Sequence, residues 1–188
     1  MGKTNLKNDW VDLVNYEIKN LNYDFRILDE NYELHLHNSK VLFSKGFTKF
    51  SVSPNQWFEN KHENSEIHEP GLIAWLIALS KVFRKKKVKF FDIGALFSYH
   101  SFIADKLFEN PEVLAIEGNP LSAAFIQKSI VELGLKNVKV DNSVLAIING
   151  KKTYLVDNFH FITLTSVKGI WILCNILLKY IVKNLLNL

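Results

Sequence analysis

The chain carries a single cysteine, Cys174, among its 188 residues. One thiol excludes an internal disulfide and any cysteine-based zinc site, and it suits a reducing cytosol. The N-terminus, MGKTNLKNDW, lacks the apolar run of a secretory signal. It also lacks the Ser or Thr at the sixth position that myristoylation needs, so a cytoplasmic location is expected. A strong excess of one charge is absent too. The net charge is +4 and the pI about 9.0, and the only dense basic cluster is Arg84-Lys85-Lys86-Lys87. Such a run reads as a solvated loop, so no nucleic-acid partner is expected. There is no internal repeat and no low-complexity linker. With 48% hydrophobic and 22% charged residues, the composition is that of an ordinary globular protein of one domain or slightly more.

The part up to about Ile67 is polar and aromatic. Its clearest feature is Tyr32-Glu33-Leu34-His35-Leu36-His37-Asn38, an alternation that predicts a half-exposed strand. Val41-Leu42-Phe43 is its expected hairpin partner across Asn38-Ser39-Lys40. His35 and His37 would share one strand face, a spacing that metals use. With no third ligand placed by the sequence they read as surface histidines, and no metal is expected. The stretch from Ser53 to Pro70, rich in Asn, Glu and His, reads as a loop. Gly71–Leu79 then reads as a buried helix with Pro70 in its first turn.

From Val88 the pattern turns to strand, helix, strand, helix, strand. Val88, Phe90, Phe91 and Ile93 predict a strand covered on both faces. Gly94 breaks the run, and Ser98–Phe108 reads as a helix. Val113–Ile116 is a second strand. Leu121–Leu133 is a second helix, apolar at Leu121, Ala124, Phe125, Ile130 and Leu133 and ended by Gly134. Val138-Lys139-Val140 opens a third strand. Asn149-Gly150, between Leu145–Ile148 and Lys152–Val156, is a strong hairpin signal. The expected fold is α/β, a Rossmann-like βαβαβ parallel sheet with right-handed crossovers and a β-hairpin. An N-terminal strand/helix extension (1–68), the core (69–165) and an apolar C-terminal helix (166–188) divide the chain.

A strand, a glycine bend and a helix aim backbone N–H groups at a nucleotide-like ligand. An acidic residue closing the next strand then bonds the ribose hydroxyls, because two acceptor oxygens match a vicinal diol. Glu117 stands at that place, about 25 residues beyond Asp92, the expected interval. The bend is not G-x-G-x-x-G, however: Gly94-Ala95-Leu96-Phe97-Ser98 has one glycine and two bulky apolar residues. That is poor for a pyrophosphate and argues against NAD or FAD. It is more compatible with S-adenosylmethionine, which carries no phosphate.

The stretches FFDIGALFSYHSFIADKL and VLAIEGNPLSAAFIQKSIVELGLKNVKV resemble the FkbM-type S-adenosylmethionine-dependent methyltransferases. That family has a D-[IV]-G-A-N-x-G-x-x-[ST] loop, an E-P-N-P after the second strand and an N-V before the third. Asp92-Ile93-Gly94-Ala95, Ser101, Glu117, Asn119, Pro120 and Asn137-Val138 match it. Glu69-Pro70 resembles the family's E-P ahead of the preceding helix, and the likeness runs from about Glu69 to Val156. The resemblance implies a cofactor site in which Asp92, Gly94 and Ala95 line the methionine part, with Ser98 in the same cofactor-binding loop. Glu117 would hold the ribose, with Gly118 and Asn119 beside it, Asn142 and Ser143 near the adenine, and Glu69 closing the side. It further implies methyl transfer to a hydroxyl of a sugar, polyketide or lipid-linked acceptor, a small molecule or glycan. The general base is not identified. Leu96 replaces the loop asparagine, Ser98 the second glycine, and Gly118 a proline; the serine restricts positive φ, so weaker cofactor binding is expected.

The family's fourth-strand motif, like I-K-I-D-V-E-G, has no counterpart between Phe159 and Leu188. The expectation is a chain shortened after the third strand, with one wall of the crevice missing and the first strand's edge open. Three roles compete for VKGIWILCNILLKYIVKNLLNL, whose Asn175, Lys179 and Lys183 form a narrow polar stripe. These are a core helix over the open edge, an interfacial membrane helix, and a partner contact through residues 170–188. Lys179 and Lys183 argue against a membrane span. The alternative to an enzyme is a non-catalytic, methyltransferase-like binding module; a split enzyme completed by another chain is a third reading.

Overall fold

A computed structural model describes residues 6–46, 53–63 and 66–143, with side chains from residue 11. The expected hairpin across Asn149-Gly150, the C-terminal helix and Cys174 lie outside those residues. The element order is α1 (Leu6–Lys19), β1 (Tyr23–Ile27), β2 (Asn31–Leu36), β3 (Ser39–Ser44), α2 (Pro54–Lys61), α3 (Pro70–Val82), β4 (Val88–Ile93), α4 (Tyr99–Leu107), β5 (Pro111–Ile116), α5 (Pro120–Glu132) and β6 (Val138–Asp141). Two three-stranded sheets result: an antiparallel meander β1-β2-β3 and a parallel sheet β4-β5-β6.

The parallel sheet is the expected βαβαβ unit. Val88 pairs with Pro111 and Ile93 with Ile116, while Val113 pairs with Val138. Helices α4 and α5 pack on it and bury Val113, Ala115 and Val138. The other face is different. Lys89 and Glu112 are exposed there, and Phe91 is 54% exposed. The strand expected to be covered on both faces is therefore covered on one among the described residues. Its continuous apolar run reads the same either way, because periodicity does not report what packs on the second face.

The meander covers α4 from the side opposite the parallel sheet. Tyr32, Leu34 and Leu36 of β2 and Val41 and Phe43 of β3 are fully or almost fully buried. Phe43 lies 4.9 Å from Phe58 and 5.2 Å from Tyr99 between ring centroids. The two sheets thus share one core through α4. As the middle strand, β2 is not half-exposed: Glu33 is buried as well, beneath its contacts with Lys40 and His35. His37 is no strand residue but a turn residue with φ of 52°. The loop expected from Ser53 to Pro70 contains α2, opened by Pro54. Polarity concealed that helix, since its single buried aromatic side chain is Phe58.

Candidate functional site

Strands β4 and β5 end side by side, and the ladder continues past them. The Gly94 N–H donates to the Ile116 carbonyl at 2.8 Å, and the Glu117 N–H to the Asp141 carbonyl at 3.0 Å. Asp92 and Glu117 therefore lie at the same end of the sheet, the carboxyl end, where open α/β sheets form their crevices. Gly94 has φ of +75°, and a Cβ built on it would meet nothing within 4 Å. The bend is open above the one residue that can turn it without strain.

Two further residues of the bend take left-handed backbone without being glycine: Leu96 at φ 50° and Ser98 at φ 59°. Such conformations cost on the order of 1 kcal/mol each and persist only when surroundings impose them. Part of the restraint is visible. The Leu96 N–H donates to Glu117 Oε2 at 2.7 Å, and the Ser98 N–H to the Ala95 carbonyl at 2.6 Å. Ser98 is fully buried, its hydroxyl has no hydrogen-bond partner, and it does not cap α4. Ser98 thus takes the positive φ that a side chain disfavours, held there by the fold.

Glu117 ties the two strand ends together. Its Oε2 accepts from Leu96, and its Oε1 accepts from the Asn119 N–H at 2.7 Å. A carboxylate has about four acceptor positions, so each oxygen keeps one lone pair. Asp92 is committed elsewhere: its Oδ2 accepts from the Ser101 N–H at 3.1 Å and the Ser101 hydroxyl at 2.6 Å. It caps α4 from outside the helix, the task that Ser98 leaves undone. Part of the Asp92 surface stays accessible, yet its carboxyl is densely surrounded by protein. That desolvation pushes its pKa up, against the opposing pull of the Ser101 bonds.

Further expected cofactor residues gather at the same end. Asn119 caps α5, its Oδ1 accepting from the Leu121 N–H at 2.9 Å. The Asn142 amide donates to the Glu117 carbonyl at 2.8 Å and reaches the Gly118 carbonyl at 3.3 Å. Ser143 follows directly, and Ala95 is buried inside the bend. Glu69 precedes α3 with φ of 51° and ψ of 60°, and its side chain makes no cap bond.

The Glu69 carboxylate turns instead to two imidazoles. His100 Nε2 lies 3.3 Å from one of its oxygens, and His68 Nε2 lies 3.9 Å from the other. His68 sits edge-on to Trp57 at 5.1 Å and to Tyr99 at 5.6 Å. Burial pushes His100 down to about 4 and also lowers His68; for both, the Glu69 charge opposes that shift. Sequence reading missed this trio, because adjacent His68-Glu69 and a distant His100 carry no spacing signal. The two histidines read as surface residues make separate contacts: His35 Nε2 meets Glu33 Oε1 at 2.5 Å, and His37 lies 3.8 Å from Glu17. Among the described residues no helix is long and apolar enough to cross a membrane.

No family model matches the chain, and no curated protein sequence does. Among solved structures, a protein-L-isoaspartate O-methyltransferase is similar at 17% identity and a TM-score of 0.35. The alignment covers 41% of this chain and only 24% of that one. A likeness of that extent carries no argument about function.

Proposed function

We propose that the chain is an S-adenosylmethionine-dependent methyltransferase whose cofactor lies across the ends of β4 and β5. One observation carries this reading: the open Gly94 bend lies beside the Glu117 carboxylate, which has one lone pair to spare on each oxygen. A vicinal diol can donate one hydroxyl to each of those oxygens. Gly94 and Ala95 would border the methionine part, with Asp92 and Ser98 shaping the bend from behind. Gly118, Asn119, Asn142 and Ser143 line the adenosyl end.

When bound, the cofactor supplies an electrophilic methyl group. The chain's own contribution is placement, which accounts for much of the rate in two-substrate reactions. The acceptor class, a hydroxyl on a sugar, polyketide or lipid-linked molecule, follows from the FkbM-type resemblance alone.

A second reading, a non-catalytic binding module, is favoured by a specific feature. Both Glu117 oxygens and Asp92 Oδ2 are already satisfied by the protein, so these carboxylates explain themselves as structural ties. Thermal unfolding with S-adenosylhomocysteine separates the two readings. At 100 times its Kd, a native-state ligand adds about 2.7 kcal/mol, or roughly 5–10 °C in Tm for a domain of this size. Gly94→Ala should abolish that rise, since the new methyl group fills the open space; its positive φ also strains the backbone, so the rise is read against the variant's own ligand-free Tm. No shift at millimolar ligand removes the enzyme reading and leaves the module.

A further inference from the structure

We propose that His68, Glu69 and His100 form a binding site for a divalent transition-metal ion of the zinc class. The ligand atoms of the three side chains all lie within 4.8 Å of one another. Tetrahedral zinc with bonds of about 2.0–2.1 Å sets neighbouring ligand atoms about 3.4 Å apart. The approach of His100 Nε2 to Glu69 Oε2, 3.3 Å, already has that spacing, while His68 Nε2 lies 3.9 Å from the other carboxylate oxygen, Oε1. A rotation of the half-exposed carboxylate together with an inward movement of His68 would bring one oxygen and both imidazoles to that spacing.

Three independent features set the trio apart from an ordinary surface ion pair. First, His100 Nε2 is buried and has no hydrogen-bond partner, although a carboxylate oxygen stands 3.3 Å away. The atom is close enough to bond but is not aligned to do so, as when both atoms face a third centre. Second, Glu69 holds a left-handed backbone directly before Pro70, although proline biases its predecessor toward extended conformations. The residue gains no helix cap from that conformation, and its carboxylate reaches the imidazoles instead. Third, Trp57 and Tyr99 close around His68, and Tyr99 also stands edge-on to His100 at 5.3 Å. Such walls fix the ring planes, as a metal site requires.

Burial favours neutral imidazole at both histidines, the form that ligates metal. Two imidazoles and one carboxylate suit zinc and its neighbours rather than magnesium or calcium, which take oxygen ligands. Three protein ligands leave the fourth position for water or a substrate oxygen, the arrangement of reactive rather than purely structural zinc. The Glu69 side chain is 51% exposed, so that position opens toward solvent. The site shares no residue with the Glu117 cleft except Glu69, whose assignment there came from the resemblance. It stands whether or not the cofactor reading does.

The test uses the full chain, stripped with a chelator and titrated with Co²⁺ in place of Zn²⁺. One equivalent should give visible ligand-field bands of a four- or five-coordinate ion, and Zn²⁺ should bleach them. Glu69→Gln and His100→Gln should each weaken binding by at least about tenfold, the lower end of what even outer-shell substitutions cost. His35→Gln should leave the bands unchanged. Should His100→Gln fail to fold, Glu69→Gln on its half-exposed side chain decides alone. Absence of the bands in the unaltered chain, or their survival in Glu69→Gln, overturns the site.

Discussion

His62 shows what a single buried ring contributes. It lies flat on Phe25, centroids 3.8 Å apart at 6°, and its Nδ1 meets the Glu66 carbonyl at 2.9 Å. A neutral ring protonated at Nδ1 satisfies that carbonyl and leaves Nε2, buried and without a partner, as a bare acceptor. Burial pushes the pKa down to about 4; the Glu66 carbonyl opposes the shift, and nearby His68 adds to it. A depressed histidine stabilises the fold above its unfolded value of 6.5, and the stability disappears as pH falls through the folded value. His62→Phe keeps the stack and removes the titration. Its unfolding free energy should fall less than that of the unaltered chain between pH 6.5 and 4, by on the order of 2 kcal/mol after allowing for solvent screening. The same loss of stability in both proteins over that pH range would show that His62 does not carry the linkage.

At the scale of elements, the bend between β4 and α4 holds unusual backbone in a short space. Gly94, Leu96 and Ser98 all have positive φ, and α4 is capped by Asp92 from the preceding strand rather than by its own Ser98. Ser98→Gly removes both a strained backbone and a buried hydroxyl without a partner. Against this stands the larger entropy that glycine loses on folding. The strain and the orphan hydroxyl together outweigh that loss, so the variant should be more stable by about 0.5–1 kcal/mol in urea unfolding. A less stable variant would mean that the serine methylene packs better than its orphan oxygen costs.

At the scale of the whole molecule, the meander and the parallel unit are held together by aromatic packing on α4. Phe43 meets Phe58, Tyr99 and Phe102, the last at 6.1 Å. The Ser39 hydroxyl adds a bond to the Lys106 carbonyl at 3.3 Å. Phe43→Ala should cost about 3–5 kcal/mol, the usual range for a buried phenylalanine. It should also lower amide-exchange protection in α4 and β5 as well as in β2. Loss of protection confined to β2 and β3 would show the two units to be energetically separate.

Much of this was legible in the residues themselves. The β4-α4-β5-α5-β6 order is written in local signals: Pro70 and Pro120 at helix starts, Gly134 (φ 62°) at a helix end, and apolar runs at Val88 and Val113. The positions of Gly94 and Glu117 at strand ends follow from the same signals, because a short crossover fixes which ends meet. Three matters were decided by tertiary structure alone. The polar α2 and the fully covered β2 depend on what packs over them, which periodicity does not record. The atoms bonded by Asp92 and Glu117 depend on how α4 and the two bends approach the sheet. The gathering of His68, Glu69 and His100 depends on α3 lying beside α4, a contact between residues some thirty positions apart that no local propensity encodes.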